Sequence, residues 1–196
     1  MENKELNDIL EKVLPLIFKY GARSLTMDDI ASNLGISKKT LYTHFENKAD
    51  LIKQIMMKHI EGERHLCDNI TSVKSNAIDQ LIHIYNYNLK SVGNINHTLI
   101  FELKKYYGSV WQYFEEHKHN YIQTAVYDNI ILGQKQGLFR KDLNAAIISR
   151  IHTNRIDMII DGDVFPITEF SFKEVVQELL IYHLRGIATQ KGMEYL

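Results

Sequence analysis

Apolar positions recur at steps of three and four residues along nearly the whole chain, the spacing of one face of an α-helix. Leu6, Ile9, Leu10, Val13, Ile17 and Phe18 form the first stripe and predict a helix over Leu6 to Tyr20. Pro15 inside it removes a backbone donor, so a kink or a late start is expected there. Gly21 follows as a left-handed cap. The pattern then shortens: Ile30 and Leu34 mark one brief helix, Leu41 and Phe45 another, with Gly35 and Ile36 between them as a turn plugged into the core. Longer helices are predicted over Asn47 to Cys67, Asn76 to Val92, His97 to Tyr107, Ser109 to His117, His119 to Gln136, Leu143 to Asp161 and Ser171 to Gln190.

The polar residues that open these helices sharpen the picture. Thr26 is suited to cap the second helix, with Asp29 three residues on to close the box, and Ser37 caps the third. Asn47 caps the fourth, with Asp50 as its partner. Two short capped helices joined by a glycine turn are the form of a helix-turn-helix, whose second helix enters the major groove of DNA. With Leu41 and Phe45 on the buried side, Lys38, Lys39, Thr40, Tyr42, Thr43 and His44 are left to project outward. Lysine donates to guanine edges or phosphate, and hydroxyls and phenols reach either. Lys48, in the first turn of the fourth helix, adds a cation where backbone amides already favour phosphate. Two adjacent lysines alone would mark only a solvated face; here they arrive with caps, a small residue at Ala31 and a turn glycine in the right order.

Charge restricts how such binding can work. The 196 residues carry a formal net charge of −1, and the first 53 balance, eight Lys and Arg against eight Asp and Glu. Affinity for a polyanion must therefore come from local placement of cations, and between Gly35 and Lys48 three lysines face Glu46 alone. Hydrophobic residues at 45% and only 2 prolines fit a globular helical protein. A charged start, the lack of any bilayer-length apolar run and a single cysteine, Cys67, lead us to expect a cytoplasmic protein without a membrane partner.

The last two predicted helices are apolar on wide faces. Phe172, Val175, Val176, Leu179, Leu180, His183, Leu184 and Ile187 line one; Ile147, Ile148, Ile151, Ile156 and Ile159 cover more than one face of the other. Surface beyond what one neighbour covers points to a four-helix interface between two copies, with a buried intrachain core as the alternative. Half of the 20 aromatic residues fall between Ile82 and Tyr127. They would suit a cavity for a flat, lipophilic effector, although aromatics at helical spacing also build ordinary cores. The nine histidines include no pair at the i, i+4 spacing of a helical metal site, and no nucleophile elbow, phosphate loop or dinucleotide fingerprint appears. No metal, cofactor or catalytic residue is expected.

The run LTMDDIASNLGISKKTLYTHFENKADL resembles the N-terminal domain of the TetR family of bacterial transcriptional regulators, most closely at Ile30-Ala31, Gly35-Ile36-Ser37, Leu41-Tyr42, His44-Phe45 and Lys48. QGLFRKDLN (Gln136 to Asn144) is similar to the loop before that family's dimerisation helices, and HLRGIATQKG (His183 to Gly192) to its C-terminal helix and tail. Pro15 departs from the pattern. The resemblance implies an all-α chain with a helix-turn-helix domain over residues 1–48 and a helical effector-binding and dimerisation domain over 49–196. It implies a homodimer through the last two helices that binds a palindromic operator on double-stranded DNA. The DNA-binding residues would be Ser37, which also caps the recognition helix; Thr26, Tyr42, His44 and Lys48, mostly on phosphate; and Lys38, Lys39, Thr40 and Thr43, nearer base edges. A small apolar or aromatic effector would touch Phe101, Tyr107, Trp111, Phe114 and Tyr127. The function expected is a ligand-responsive repressor; control by a protein partner, or activation, are the alternatives.

Overall fold

The computed structural model describes residues 2–73, 75–92, 97–160, 164–166 and 168–195. The regular structure among these residues is helical, apart from one isolated β-bridge between Phe139 and Ala188. In chain order the helices are α1 (Glu2–Tyr20), α2 (Met27–Leu34), α3 (Lys38–His44), α4 (Lys48–Ser72), α5 (Ala77–Val92), α6 (His97–Tyr106), α7 (Gly108–His117), α8 (Gln123–Gln136), α9 (Ala145–Ile160), α10 (Phe172–Ile187) and α11 (Gln190–Met193). α1 runs through Pro15 and starts at Glu2, so the late start expected at the proline is absent. The expected end of the ninth helix at Asp161 lies outside the described residues.

The chain packs as two compact units, one of Met1–Glu63 with Asn94–Glu115, the other of Arg64–Gly93 with Glu116–Leu196. The sequence places one boundary after residue 48, whereas the units exchange three times along the chain, and α4 contributes to both.

In the first unit α1, α2, α3 and the start of α4 close over Ile9, Val13, Ile17, Ile30, Leu41, Phe45, Leu51, Ile52 and Ile55. Leu99, Leu103 and Val110 join the same core, which draws α6 and the start of α7 into the helix-turn-helix unit. Each fully buried side chain of this size contributes roughly 1.5–3 kcal/mol relative to exposure. Gly21, at φ 84°, and Gly35, at φ 67°, turn the chain through the left-handed region that β-carbon-bearing residues avoid.

In the second unit α8 packs on α5 and α9. Its core gathers Ile78, Leu81, Leu138, Phe139, Leu184 and Ile187, with Val126, Ile130 and Ala145 beside them. The loop after α8 and the tail after α10 hold each other: Arg140 N–H donates to the Ile187 carbonyl, and Thr189 N–H to that of Leu138. Phe139 lies fully buried on Gly133, where a β-carbon would fall 2.0 Å from its ring, so only glycine fits.

Where the sequence suggested a break between His117 and His119, the helix continues. Residues Lys118–Ile122 form a π-helical turn that joins α7 to α8 without interruption. Such turns are rare and hold one residue more than an α-helix would. Here the wide turn carries Lys118 into the interior, 1% exposed, where Nζ meets the Asp157 carboxylate at 2.6 Å.

Candidate nucleic-acid interface

The helix-turn-helix is built by its caps. Thr26 Oγ1 accepts from Asp29 N–H at 3.1 Å, and the Asp29 carboxylate accepts from Thr26 N–H at 2.8 Å, a complete capping box at the start of α2. The Thr26 hydroxyl, donating to the Asp29 carboxylate at 2.6 Å, and then the Thr26 N–H hold the Asp29 carboxyl below the usual carboxylate range. Ser37 Oγ accepts from Thr40 N–H at 3.0 Å and fixes the start of α3. Asn47 Oδ1 accepts from Asp50 N–H at 3.0 Å, while the Asp50 carboxylate reaches one residue further back, to Glu46 N–H at 3.1 Å.

On α3, Leu41 is buried and Lys38, Lys39, Tyr42 and Thr43 are exposed, as the apolar spacing requires. Their polar heads are not equally available. Lys38 Nζ holds the Asp28 carboxylate at 2.7 Å, which raises the lysine above its ordinary value, chiefly through that hydrogen bond. Thr43 Oγ1 donates to the Thr40 carbonyl at 2.6 Å, and the Thr40 and Ser37 hydroxyls lie 2.8 Å apart. Lys39 and Tyr42 take no hydrogen bond or ion pair from the described residues. Their polar ends are exposed and unengaged.

His44 departs from expectation. Its side chain is only 9% exposed and lies 3.7 Å from Glu5 of α1, with its ring against Phe45. The last turn of so short a helix packs on α1, so His44 does not project outward as the spacing suggested.

Lys48 lies at the first turn of α4, half-buried, and Nζ donates to the Arg23 carbonyl at 3.0 Å. Burial pulls it below its ordinary value, opposed by the nearby Glu102 carboxylate. Glu102 itself comes from α6. One of its oxygens accepts from both Ala22 N–H, at 2.7 Å, and Arg23 N–H, at 3.0 Å. That clasp joins α6 to the turn between α1 and α2, and the turn's carbonyl in turn holds Lys48. Neither Glu102 nor Arg23 is marked by any local sequence signal, because the two segments are about 80 residues apart.

Of the five aromatic residues expected to line an effector cavity, four lie in the first unit and Tyr127 in the second. Phe101 is 59% exposed and Tyr127 39% exposed. Tyr107 packs against the core of the first unit, and Trp111 and Phe114 touch at 5.4 Å between ring centres. A recess of about 480 Å³ in the second unit is lined by none of them, but by Thr71, Ser72, Val73, Ser75, Gln80, Leu132 and Gln136. Behind Gln80, Asn129 Nδ2 donates to the Gln80 side chain and the Ala77 carbonyl, while Asn129 Oδ1 is buried without a partner among the described residues.

A second buried polar group joins α5, α9 and α10. His152 Nδ1 and His183 Nε2 lie 3.3 Å apart, Arg155 reaches His152 at 3.4 Å and the Leu179 carbonyl at 2.9 Å, and the Tyr85 hydroxyl donates to the Val176 carbonyl. Burial, then the Arg155 charge, pushes His183 down to about 3 and His152 well below its ordinary value; burial also raises Tyr85 to about 12. Among the described residues no group of three or more His, Cys, Asp or Glu could hold a metal ion. No helix among them is long and apolar enough to cross a membrane.

A capped pair of short helices with an exposed, cation-bearing second helix defines a helix-turn-helix DNA-binding protein. Residues 9–55 match the family model described as bacterial regulatory proteins, tetR family. Over 185 residues the chain is 23% identical to an uncharacterized HTH-type transcriptional regulator, YvaF of Bacillus subtilis, covering 93% of this chain and 95% of that one. It is 19% identical over 151 residues to the HTH-type transcriptional repressor KstR2 of Mycobacterium tuberculosis, 76% of each chain. The solved structure of that ketosteroid transcriptional regulator superposes with a TM-score of 0.60 at 17% identity, over 95% of this chain and 96% of that one. A TetR transcription regulator from Haloarcula marismortui superposes with a TM-score of 0.75 at 16% identity, over 95% and 100%. The match to the tetR family covers residues 9–55, and the chain as a whole is similar in sequence and fold to proteins named as transcriptional regulators. Regulators of this family bind DNA and act as dimers.

Proposed function

We propose that the chain represses transcription by occupying a palindromic operator as a homodimer and that a small apolar effector releases it. The observation that carries the DNA half is α3 itself, where Lys39 and Tyr42 are exposed and unengaged above a buried Leu41. These two are suited to base edges and phosphate, while Thr26, Ser37 and Thr40 serve first to fix the backbone. Lys48, at the first turn of α4, is assigned to phosphate on this reading, giving up its bond to the Arg23 carbonyl. His44 is not assigned to DNA.

The dimer half rests on α9 and α10. Ile147 is 55% exposed and Ile151 61%, with Met158 on the same helix; Ile181 and Tyr182, at 43% and 79%, stand on α10. A monomer leaving these side chains in water would forfeit most of their burial energy, and a second copy covers them. Two recognition helices roughly 34–36 Å apart then meet successive major grooves. Repression and an apolar effector take their support from the relative named a repressor and described as a ketosteroid regulator. Coupling between effector and operator is typically worth about 1–3 kcal/mol in such systems.

The test is fluorescence anisotropy of the purified protein on DNA from upstream of its own gene, with random duplex as competitor, over a salt series. Competitor-resistant binding supports the reading. Lys48→Gln is expected to weaken specific and random binding alike and to flatten the salt slope by about two units per dimer. Lys39→Gln is expected to narrow the gap between the two DNAs. Unchanged affinity in both variants would remove this surface from the interface.

A further inference from the structure

The first unit carries more acids than bases in its sequence, so the placement of its unpaired cations decides where it can meet a polyanion. On the expected surface two are already engaged: Lys38 by Asp28 and Lys48 by a backbone carbonyl. Away from it, Lys58 pairs with Glu11 at 3.0 Å. Three others gather elsewhere. The Arg23 guanidinium lies 4.2 Å from the centre of the Tyr106 ring, and Lys105 Nζ lies 5.3 Å from the same ring and 5.2 Å from that of Phe101. Lys104 Nζ, one residue away, lies 5.7 Å from the Trp111 ring.

None of the three has a carboxylate within ion-pair distance among the described residues. The nearest acid on the same helix, Glu102, is turned onto the Ala22 and Arg23 amides. Lys104, Lys105, Tyr106, Phe101 and Arg23 are all exposed. Aromatic faces hold the cations in place without neutralising them, so phosphate binding costs less side-chain freedom than it would for free lysines. The patch is also continuous with the DNA surface, because Arg23 holds Lys48 through its carbonyl.

We propose that Arg23, Lys104 and Lys105 form an auxiliary phosphate-binding ridge that engages the backbone of DNA flanking the operator. The proposal rests on the DNA-binding reading of α3 and extends its footprint outward from the groove. The contacts carry no sequence information. They lengthen the duplex that the protein protects and steepen the salt dependence of binding.

The experiment compares two duplexes for the parent, for Lys104→Gln with Lys105→Gln, and for Lys48→Gln. One is the shortest operator retained by selection from random sequence; the other is extended by roughly ten base pairs, one helical turn, at each end. The parent is expected to bind the long duplex more tightly and with the steeper slope of log affinity against log salt. The double variant is expected to lose that difference, flattening its long-duplex slope by roughly 3–4 units if both lysines of both copies engage, while the short duplex is unaffected. Lys48→Gln weakens both lengths.

Equal slopes on the two lengths for the parent would overturn the ridge and leave the α3 reading standing. An equal loss on both lengths in the double variant would also overturn it, placing the effect on the helix-turn-helix itself. If selection retained no duplex at all, the α3 reading would fail, and the ridge with it. Retention of an acidic protein from solution by the parent but not the double variant, with equal DNA slopes, would assign the ridge to that partner instead. Both substitutions lie at exposed positions, and matched thermal melting of parent and variant checks that folding is intact.

Discussion

Glu102→Ala and Glu102→Gln together measure the clasp between α6 and the turn that precedes α2. Both turn amides donate to one carboxylate oxygen, at 2.7 and 3.0 Å. Alanine removes that acceptor, whereas glutamine can place a carbonyl oxygen in the same position and forfeit only the charge. Hydrogen bonds to charged groups contribute about 1.5–3 kcal/mol each against about 0.5–1.5 for neutral ones. With one shared acceptor and an exposed Arg23, the lower ends apply: a loss of about 2–3 kcal/mol for alanine and about 1 for glutamine. Amide hydrogen exchange at Ala22 and Arg23 reads the clasp directly, and urea unfolding reads its contribution to stability. Protection is expected to fall in the order parent, glutamine, alanine, and operator affinity with it, because Thr26 and Lys48 lose the turn that sets their positions. Unchanged exchange at both amides in the alanine variant, with stability within about 0.5 kcal/mol of the parent, would refute the reasoning.

Three further outcomes are expected. Gly133→Ala forces a β-carbon to within 2.0 Å of the buried Phe139 ring and should cost about 1–3 kcal/mol or more, read as an earlier thermal transition; melting with the parent would show that the ring can move. Ile151→Glu places a charge on the exposed apolar face of α9 and should yield a helical monomer by analytical ultracentrifugation, while a persistent dimer would move the interface elsewhere. His152 and His183 are depressed in the folded state, so they cost nothing above the ordinary histidine value of 6.5 and cost stability as pH falls below it. The unfolded chain then takes up protons that the folded chain refuses, at about 1.4 kcal/mol per pH unit for each histidine. For His183 the loss continues to about pH 3, and His183→Gln should make the slope shallower in urea titrations at stepped pH.

The local chemistry of the helix-turn-helix was readable because its signals act within four residues. The capping box of Thr26 with Asp29, the Ser37 cap and the left-handed glycines at 21 and 35 all stand where their side chains, or lack of them, require. Contacts between distant segments were not readable. Nothing in FELKKYY announces that Glu102 meets a turn about 80 residues earlier, or that Arg23 lies on Tyr106. His44 was misplaced for a similar reason, since helical spacing says which residues avoid the core but not which meet a neighbouring helix. The aromatic richness between Ile82 and Tyr127 was correctly counted, yet counting cannot separate rings that line a cavity from rings such as Phe101 that support a surface lysine. The π-turn left no mark either: its extra residue breaks the 3.6-residue period, and a break in period reads as a break in the helix.

The pairing of Lys38 with Asp28 bears on how quickly the regulator finds its target. Both side chains are largely exposed, so the pair is a weak, solvent-screened hold, and on the proposed DNA-binding reading a phosphate that takes Lys38 has first to displace Asp28. Contacts confined to the right sequence can offset that displacement, while the many competing stretches of a genome cannot. On that reading the acid on α2 would compete with every phosphate for Lys38, and a site that supplies further contacts would tolerate the competition best.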